Sequence, residues 1–350
     1  MEAALTVPHV GSAGSDGQSE VRRWRSRLAP YARPHSTRAL GCLATSLVPY
    51  LALMLVMYLL LSVSYLLVLV VAIPASGFLL RTFIVFHDCA HSSFFPSRRL
   101  NEWIGVIVGL FVYSPFHSWR HEHAMHHATS GDLDRRGVGD VETWTVAEYR
   151  SKPVLSRTGY RLFRNPLVMF TIGPIWALAL EPRLIPLKAR RRIQRSHLFT
   201  DIALGGIVAA LCLTIGWRDF LLLQTPVVIG AGTAGVWLFY VQHQFEGVYW
   251  RRTEEWSYLD AALAGSSHLK LHPVLRFFTG SIGLHHVHHL SACIPNYNLQ
   301  RAHDENPELH CAPTLSIWDG LRAVRLKLYD ESDGRLVTFG QARRAARTGC

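Results

Sequence analysis

Four stretches of the chain stay apolar for about the 20 residues that a helix needs to cross a bilayer. They run over 39–61, 65–86, 202–217 and 220–241. The third is short alone and is expected to recruit Leu198 to Asp201 or to cross with little tilt. Pro74 and Gly77 predict a kink in the second, and Arg81 near its end is placed to snorkel to the surface. Two further apolar pieces, 103–116 and 166–180, are too short to span. They read as core helices or as interfacial or re-entrant segments, the second interrupted by Gly173-Pro174.

The links between these runs predict a topology. A few residues around Ser62 and Ser64 join the first two spans, and Trp217-Arg218-Asp219 joins the last two. Arg218 is the one basic residue in those turns. The opposite side receives Arg22, Arg23, Arg25, Arg27, Arg33 and Arg38, then Arg190, Arg191, Arg192 and Arg195. By the positive-inside rule the chain enters and leaves twice, with both termini in the cytoplasm. The expected fold class is an all-α integral membrane protein with four transmembrane helices and a cytoplasmic helical cap. Residues 1–38, rich in Gly, Ser and Arg, are expected to be a flexible basic tail. No secretory signal fits them, because the first apolar run begins only near Ala39 and continues for spanning length. Residues 39–319 form the expected domain, and 320–350 a second basic cytoplasmic tail.

Composition narrows the function. Of 350 residues 49% are hydrophobic and 17% charged, against roughly 25% charged in a soluble domain. That excludes a disordered linker and argues against a soluble enzyme. The formal charge of +11 sits beside apolar runs, which points to a membrane surface rather than to nucleic acid. Six scattered Cys, none with CxxC spacing, argue against a disulfide scaffold.

The chain has 19 His, most of them in three clusters. His87 and His91 form an HxxxH at the end of the second span, and residues four apart share a helix face. His123, His126 and His127 stand at i, i+3 and i+4, again read as one face, with His121 pointing away. His285, His288 and His289 repeat that HxxHH spacing, and His286 is ambiguous. With two spans between the second and third clusters, all three face the same side and can converge, and His243 arrives there at the end of span four. Eight or nine imidazoles over-fill a zinc site, which takes four ligands. They suit two metals of higher coordination number with positions left for oxygen. Asp88, Glu122 and Glu246 are candidate partners to orient imidazoles, though each alone reads as a solvated acid.

With these boxes in this order, the chain resembles the membrane fatty acid desaturases. HHATSGDLDRRGVGD, FRNPLVMFTIGP, YVQHQFE and HHVHHLSACIPNYNL look like the bacterial Δ12-type (omega-6) acyl desaturases, over roughly residues 80 to 310. The resemblance implies that His87, His91, His123, His126, His127, His285, His288 and His289 are iron ligands, with His243 completing the set. It implies two Fe ions, O2 as co-substrate, and a cis double bond inserted into an acyl chain carried on CoA, a carrier protein or a glycerolipid. Location in a bacterial inner membrane follows. Electrons are expected from a separate ferredoxin- or cytochrome b5-type donor, since the chain carries no His-Pro-Gly-Gly haem motif. The Ser267–His272 segment departs from the pattern, where relatives more often carry aromatic residues. Trp237, Phe239 and Tyr240 are candidate walls of an acyl tunnel. Two other readings use the same residues: a di-iron lipid or alkane hydroxylase, and a membrane metal transporter. A transporter would place its ligands near the bilayer midplane rather than beyond the span ends.

Overall fold

The four apolar runs fold as helices in the computed structural model, which describes residues 15–348. They span Ser36–Leu60, Tyr65–Ala90, Arg191–Ile215 and Trp217–His243, and all are long and apolar enough to cross a membrane. The third takes in polar residues from Arg191 onward, so its length comes from the flank that precedes the apolar run. Leu55 is 59%, Ile73 72% and Leu213 87% exposed. Side chains so placed are costly in water and cost nothing against lipid.

The second long helix is the centre of the bundle. Of its most apolar window 44% is buried, against 6% for the third helix. It packs against the first and fourth long helices and against a shorter helix, Arg98–Phe111. Where it meets the fourth, Gly230 leaves room for Ser76, since a Cβ there would stand 2.4 Å from the hydroxyl. Ser76 Oγ donates to Ala72 O at 2.7 Å and to Val227 O across the interface at 3.2 Å. Apolar burial offers helices in lipid little net gain, so close approach and interhelical hydrogen bonds hold them.

This helix runs without a break through Pro74 and Gly77. Gly77 admits the Phe278 ring, which would lie 2.7 Å from a Cβ. One expectation changes: Arg81 does not snorkel. The short helix Pro273–Phe278 folds over it, so its guanidinium donates to Phe277 O and stacks on the Phe277 ring at 4.0 Å. The second of the two short apolar pieces becomes a bent pair, Val154–Phe163 followed by Val168–Arg183 at 57°. Its second limb lies against the fourth long helix, with Thr233 Oγ1 donating to Phe170 O at 2.7 Å.

Among the described residues, the segments near both ends are more ordered than their composition predicts. Ser15–Leu28 is helical, and Val21, Trp24 and Leu28 form a stripe in the apolar cluster that includes Ile282, Leu284 and Val287. The basic residues hid that spacing, and only residues 1–14 of the expected flexible segment lie outside the described residues. The expected C-terminal tail is also folded. Ile317–Ala323 and Phe339–Thr348 are helices flanking a hairpin of β4 (Leu328–Asp330) and β5 (Arg335–Val337), whose turn ends in Asp333-Gly334. Gly334 takes φ +61 there, and the Asp-Gly pair was the local signal for this turn. β1 (Trp144–Thr145) pairs in parallel with β4, and β2 (His268–Leu269) with β3 (Thr314–Leu315). The fold is thus mostly helical rather than all-α.

Arg164 ties these parts together. It is fully buried and meets no carboxylate. Its guanidinium instead donates to Glu142 O, Thr143 Oγ1, Tyr240 OH, Gln244 Oε1 and Leu326 O. Five neutral acceptors offset the loss of water around the cation.

Candidate metal centre

Each histidine box sits on a helix that aims it inward. His87 and His91 close the second long helix, His123, His126 and His127 lie on Phe116–Thr129, and His285, His288 and His289 on His285–Leu290. His243 ends the fourth long helix. All nine converge in two groups of donor atoms, each atom within 4.8 Å of the others in its group. One group is His87, His91, His123, His127 and His288, and the other His126, His243, His285 and His289. Among the described residues both groups consist of histidine alone.

The partition differs from a one-face, one-site reading of HxxHH. An α-helix turns about 100° per residue, so i and i+4 diverge by roughly 40° while i+3 and i+4 diverge by a full 100°. In the second box His123 and His127 enter the five-donor group and His126 crosses to the other. In the third box the exchange is reciprocal, with His285 and His289 in the four-donor group and His288 in the five-donor group. Each HxxHH box therefore straddles both groups, while His87 and His91 stay together in the five-donor group.

The donor atoms are spaced as ligands of a common ion. Nε2–Nε2 separations are 3.1 Å for His123–His127, 3.0 Å for His127–His288, 3.1 Å for His126–His243, 2.9 Å for His243–His285 and 3.1 Å for His285–His289. With metal–nitrogen bonds of about 2.1 Å, donors at right angles stand about 3.0 Å apart and tetrahedral donors about 3.4 Å. The separations match the right-angled case. His91 Nε2 is buried with no hydrogen-bond partner, an arrangement that costs free energy unless an ion takes the lone pair. Burial first, then neighbouring imidazoles, push the pKa values of His123, His127, His285, His288 and His289 well below the ordinary imidazole value. The rings are thereby kept in the neutral form that binds metal.

Around the rings lie the groups that turn them. Asp88 Oδ1 is 3.0 Å from His87 Nδ1, while its Oδ2 accepts from Asn296 N at 2.7 Å and Asn296 Nδ2 at 2.8 Å. His243 Nδ1 meets Gly265 O at 3.1 Å, and His126 Nδ1 meets Asp140 Oδ1 at 2.5 Å. In each case Nδ1 is engaged and Nε2 is left for the centre. Asp140 was not singled out from the sequence. Gly139, at φ +68, brings the loop back against the box helix, where a Cβ would meet Glu122 O at 3.1 Å and His126 Cβ at 3.2 Å. No spacing rule signals that return. Trp119, also unforeseen, stacks on His123 at 4.3 Å.

Other candidates fall elsewhere. Glu122 accepts from Ser118 Oγ at 3.0 Å, and Glu246 pairs with Arg335 on the surface. His121 is exposed and joins neither group. His286 turns away to His303, Nε2 to Nδ1 at 3.3 Å. His268, in the segment that departs from the family pattern, lies 4.8 Å from the His303 ring. Of the three aromatics, Phe239 packs on His126 at 5.2 Å, whereas Tyr240 is committed to Leu326 O at 2.5 Å and Trp237 packs against Gly320.

Helices suited to a membrane, ending in two histidine groups able to hold metal, define a membrane-type metalloprotein. The fatty acid desaturase family model matches residues 62–318, and the chain belongs to that family. It is 42% identical to a fatty acid desaturase of Bacillus subtilis (strain 168) over 313 residues, 89% of each chain. It is 28% identical to the sn-1 oleoyl-lipid 12-desaturase of Synechocystis sp., over 75% of this chain and 76% of that one. To the sn-1 acyl-lipid omega-3 desaturase (ferredoxin) of the same organism it is 27% identical, over 63% of this chain and 62% of the relative.

Proposed function

We propose that the chain is an oxygen-dependent acyl desaturase acting at the Δ12 (omega-6) position through two iron ions held by the nine histidines. The observation that carries this reading is the pair of all-imidazole groups with right-angled donor spacing. Nitrogen-only sets suit Zn, Cu, Fe and Ni, and the spacing disfavours tetrahedral zinc. The Δ12 position rests on the likeness to 12-desaturases. The balance is one saturated CH2–CH2 pair, O2, two electrons and two protons giving one cis CH=CH and two waters. Bound iron would supply oxygen activation and the power to remove hydrogen from unactivated methylenes.

The chain's residues supply position and dryness. Asp88, Asp140 and Gly265 O fix three rings at Nδ1. Trp119 and Phe239 cover His123 and His126 with apolar rings, which keep water from the centre. Both termini and the centre lie on the cytoplasmic side in this reading. Supporting it, Arg27 pairs with Glu308, and Arg38 donates to Asn298 Oδ1 at 2.7 Å, close to the third box. The basic N-terminal residues and the histidine centre thus share one end of the bundle. A ferredoxin-type donor fits the ferredoxin for which the Synechocystis omega-3 desaturase is named.

The decisive test is expression in a host rich in monounsaturated lipid, followed by fatty acid profiling and metal analysis. A new diene double bond at Δ12 and two irons per chain are expected. Hydroxy acids would identify a hydroxylase, and zinc alone would remove the mechanism.

A further inference from the structure

The helices Val146–Ser151, Val154–Phe163 and Phe339–Thr348 enclose a cleft of about 560 Å3, apart from the histidine centre. Arg150, Arg157, Arg161 and Arg343 line it, and among the described residues no carboxylate does. The nearest acid on these helices, Glu148, is already paired with Arg136. Arg150 donates to Ala342 O at 2.7 Å. Arg161 donates to Tyr149 OH at 2.5 Å and lies over the Phe339 ring at 4.8 Å. These bonds hold two guanidiniums in place without neutralising them. Among the described residues the guanidiniums of Arg157 and Arg343 have no ion pair or hydrogen-bond partner. Four like charges gathered without an acid repel one another, and an anion with several oxygens relieves that repulsion while matching the guanidinium fork.

A second feature says which anion. The cleft's rim belongs to a helix with its apolar side chains outward: Val154 is 69%, Leu155 83% and Leu162 62% exposed. That helix is the first limb of the bent apolar pair. A surface of this kind lies in the boundary between hydrocarbon and headgroups, with the arginines at headgroup level. A soluble acidic protein or a free anion has no use for the apolar rim.

We propose that this cleft binds the phosphodiester of an anionic glycerophospholipid of the surrounding bilayer, with Arg157 and Arg343 as its free guanidiniums. The site docks the C-terminal helix and the limb Val154–Phe163 onto the membrane surface. It does not depend on the reaction assigned to the histidines.

The full chain, purified in detergent, is titrated with dihexanoyl-phosphatidylglycerol, inorganic phosphate or dihexanoylglycerol, and bound species are counted by native mass spectrometry. One phosphatidylglycerol is expected to bind saturably, with phosphate about tenfold weaker and dihexanoylglycerol not retained. Arg157→Gln/Arg343→Gln should weaken the lipid about tenfold or more with metal content and melting unchanged. Arg98→Gln/Arg99→Gln, exposed and remote from the cleft, should bind as the unaltered chain does. Should the double variant fail to fold, Arg157→Gln alone gives the same reading. Equal binding by the cleft variant, equal weakening by the control, or phosphate as tight as lipid would each overturn the proposal. So would unchanged lipid binding with loss of binding to an acidic ferredoxin, which would make the cleft a protein-docking site.

Discussion

The two histidine groups are unequal. The five-donor group takes two i, i+4 pairs and one crossing ring, and two of its members, His91 and His127, are only partly buried. The four-donor group takes one pair and two single rings, His126 and His243, and all four are buried. A helical pair arrives already aligned, because the helix fixes both rings. A single ring is aligned by whatever holds its other nitrogen, here Asp140 for His126 and Gly265 O for His243. The smaller group is therefore the one that depends on tertiary contacts and has no donor to spare.

The sharpest break of this comparison is a pair of deletions. His243→Ala should bring activity to background and remove one metal per chain, whereas His91→Ala leaves four donors and should retain metal in both groups with weakened turnover. Metal analysis alongside product yield checks both, and equal metal loss in the two variants would sink the asymmetry. Acidification tests what the groups share. Their depressed pKa values mean that the unfolded chain binds more protons than the folded one below the ordinary imidazole value of about 6.5. Stability is thus full above about pH 6.5 and falls as pH drops below it, and a melting temperature that does not fall on acidification to about pH 5 would contradict the buried cage. Asp140→Asn should cost about 10–100-fold in metal affinity or activity, with the loss confined to the four-donor group. A spectroscopic titration that finds both groups equally weakened would argue for a global role of that loop.

The smallest effect lies outside both groups. Burial, then Arg164 nearby, pulls the Lys327 amine down to about 7. Between pH 7 and the unfolded value near 10.5 the unfolded chain binds the extra proton, so stability rises with pH over that window. Lys327→Met should remove that rise and lift the melting temperature at pH 7, read by thermal unfolding across pH.

Much of this centre was legible in the linear order of residues. The nine histidines named from spacing, topology and family likeness are the nine that meet in the structure. Helical neighbours four apart are a local property, so His87–His91 and His285–His289 could be paired without knowing the fold. The partition of each HxxHH between two groups was not visible, because it depends on what stands beyond the helix on each side. Nor was Asp140, brought to His126 by a glycine-led turn.

The sequence by itself determined which segments can live in lipid, because a bilayer demands length and apolarity that composition displays directly. It also determined where imidazoles are concentrated and which end of the helices they share. Tertiary structure alone decided how those rings divide, which carboxylates turn them, and that the segments beginning at Ser15 and ending at Thr348 fold onto the rest. Those outcomes rest on contacts such as His126 with His243 and Arg38 with Asn298, between residues far apart along the chain. Local periodicity carries no information about such pairs.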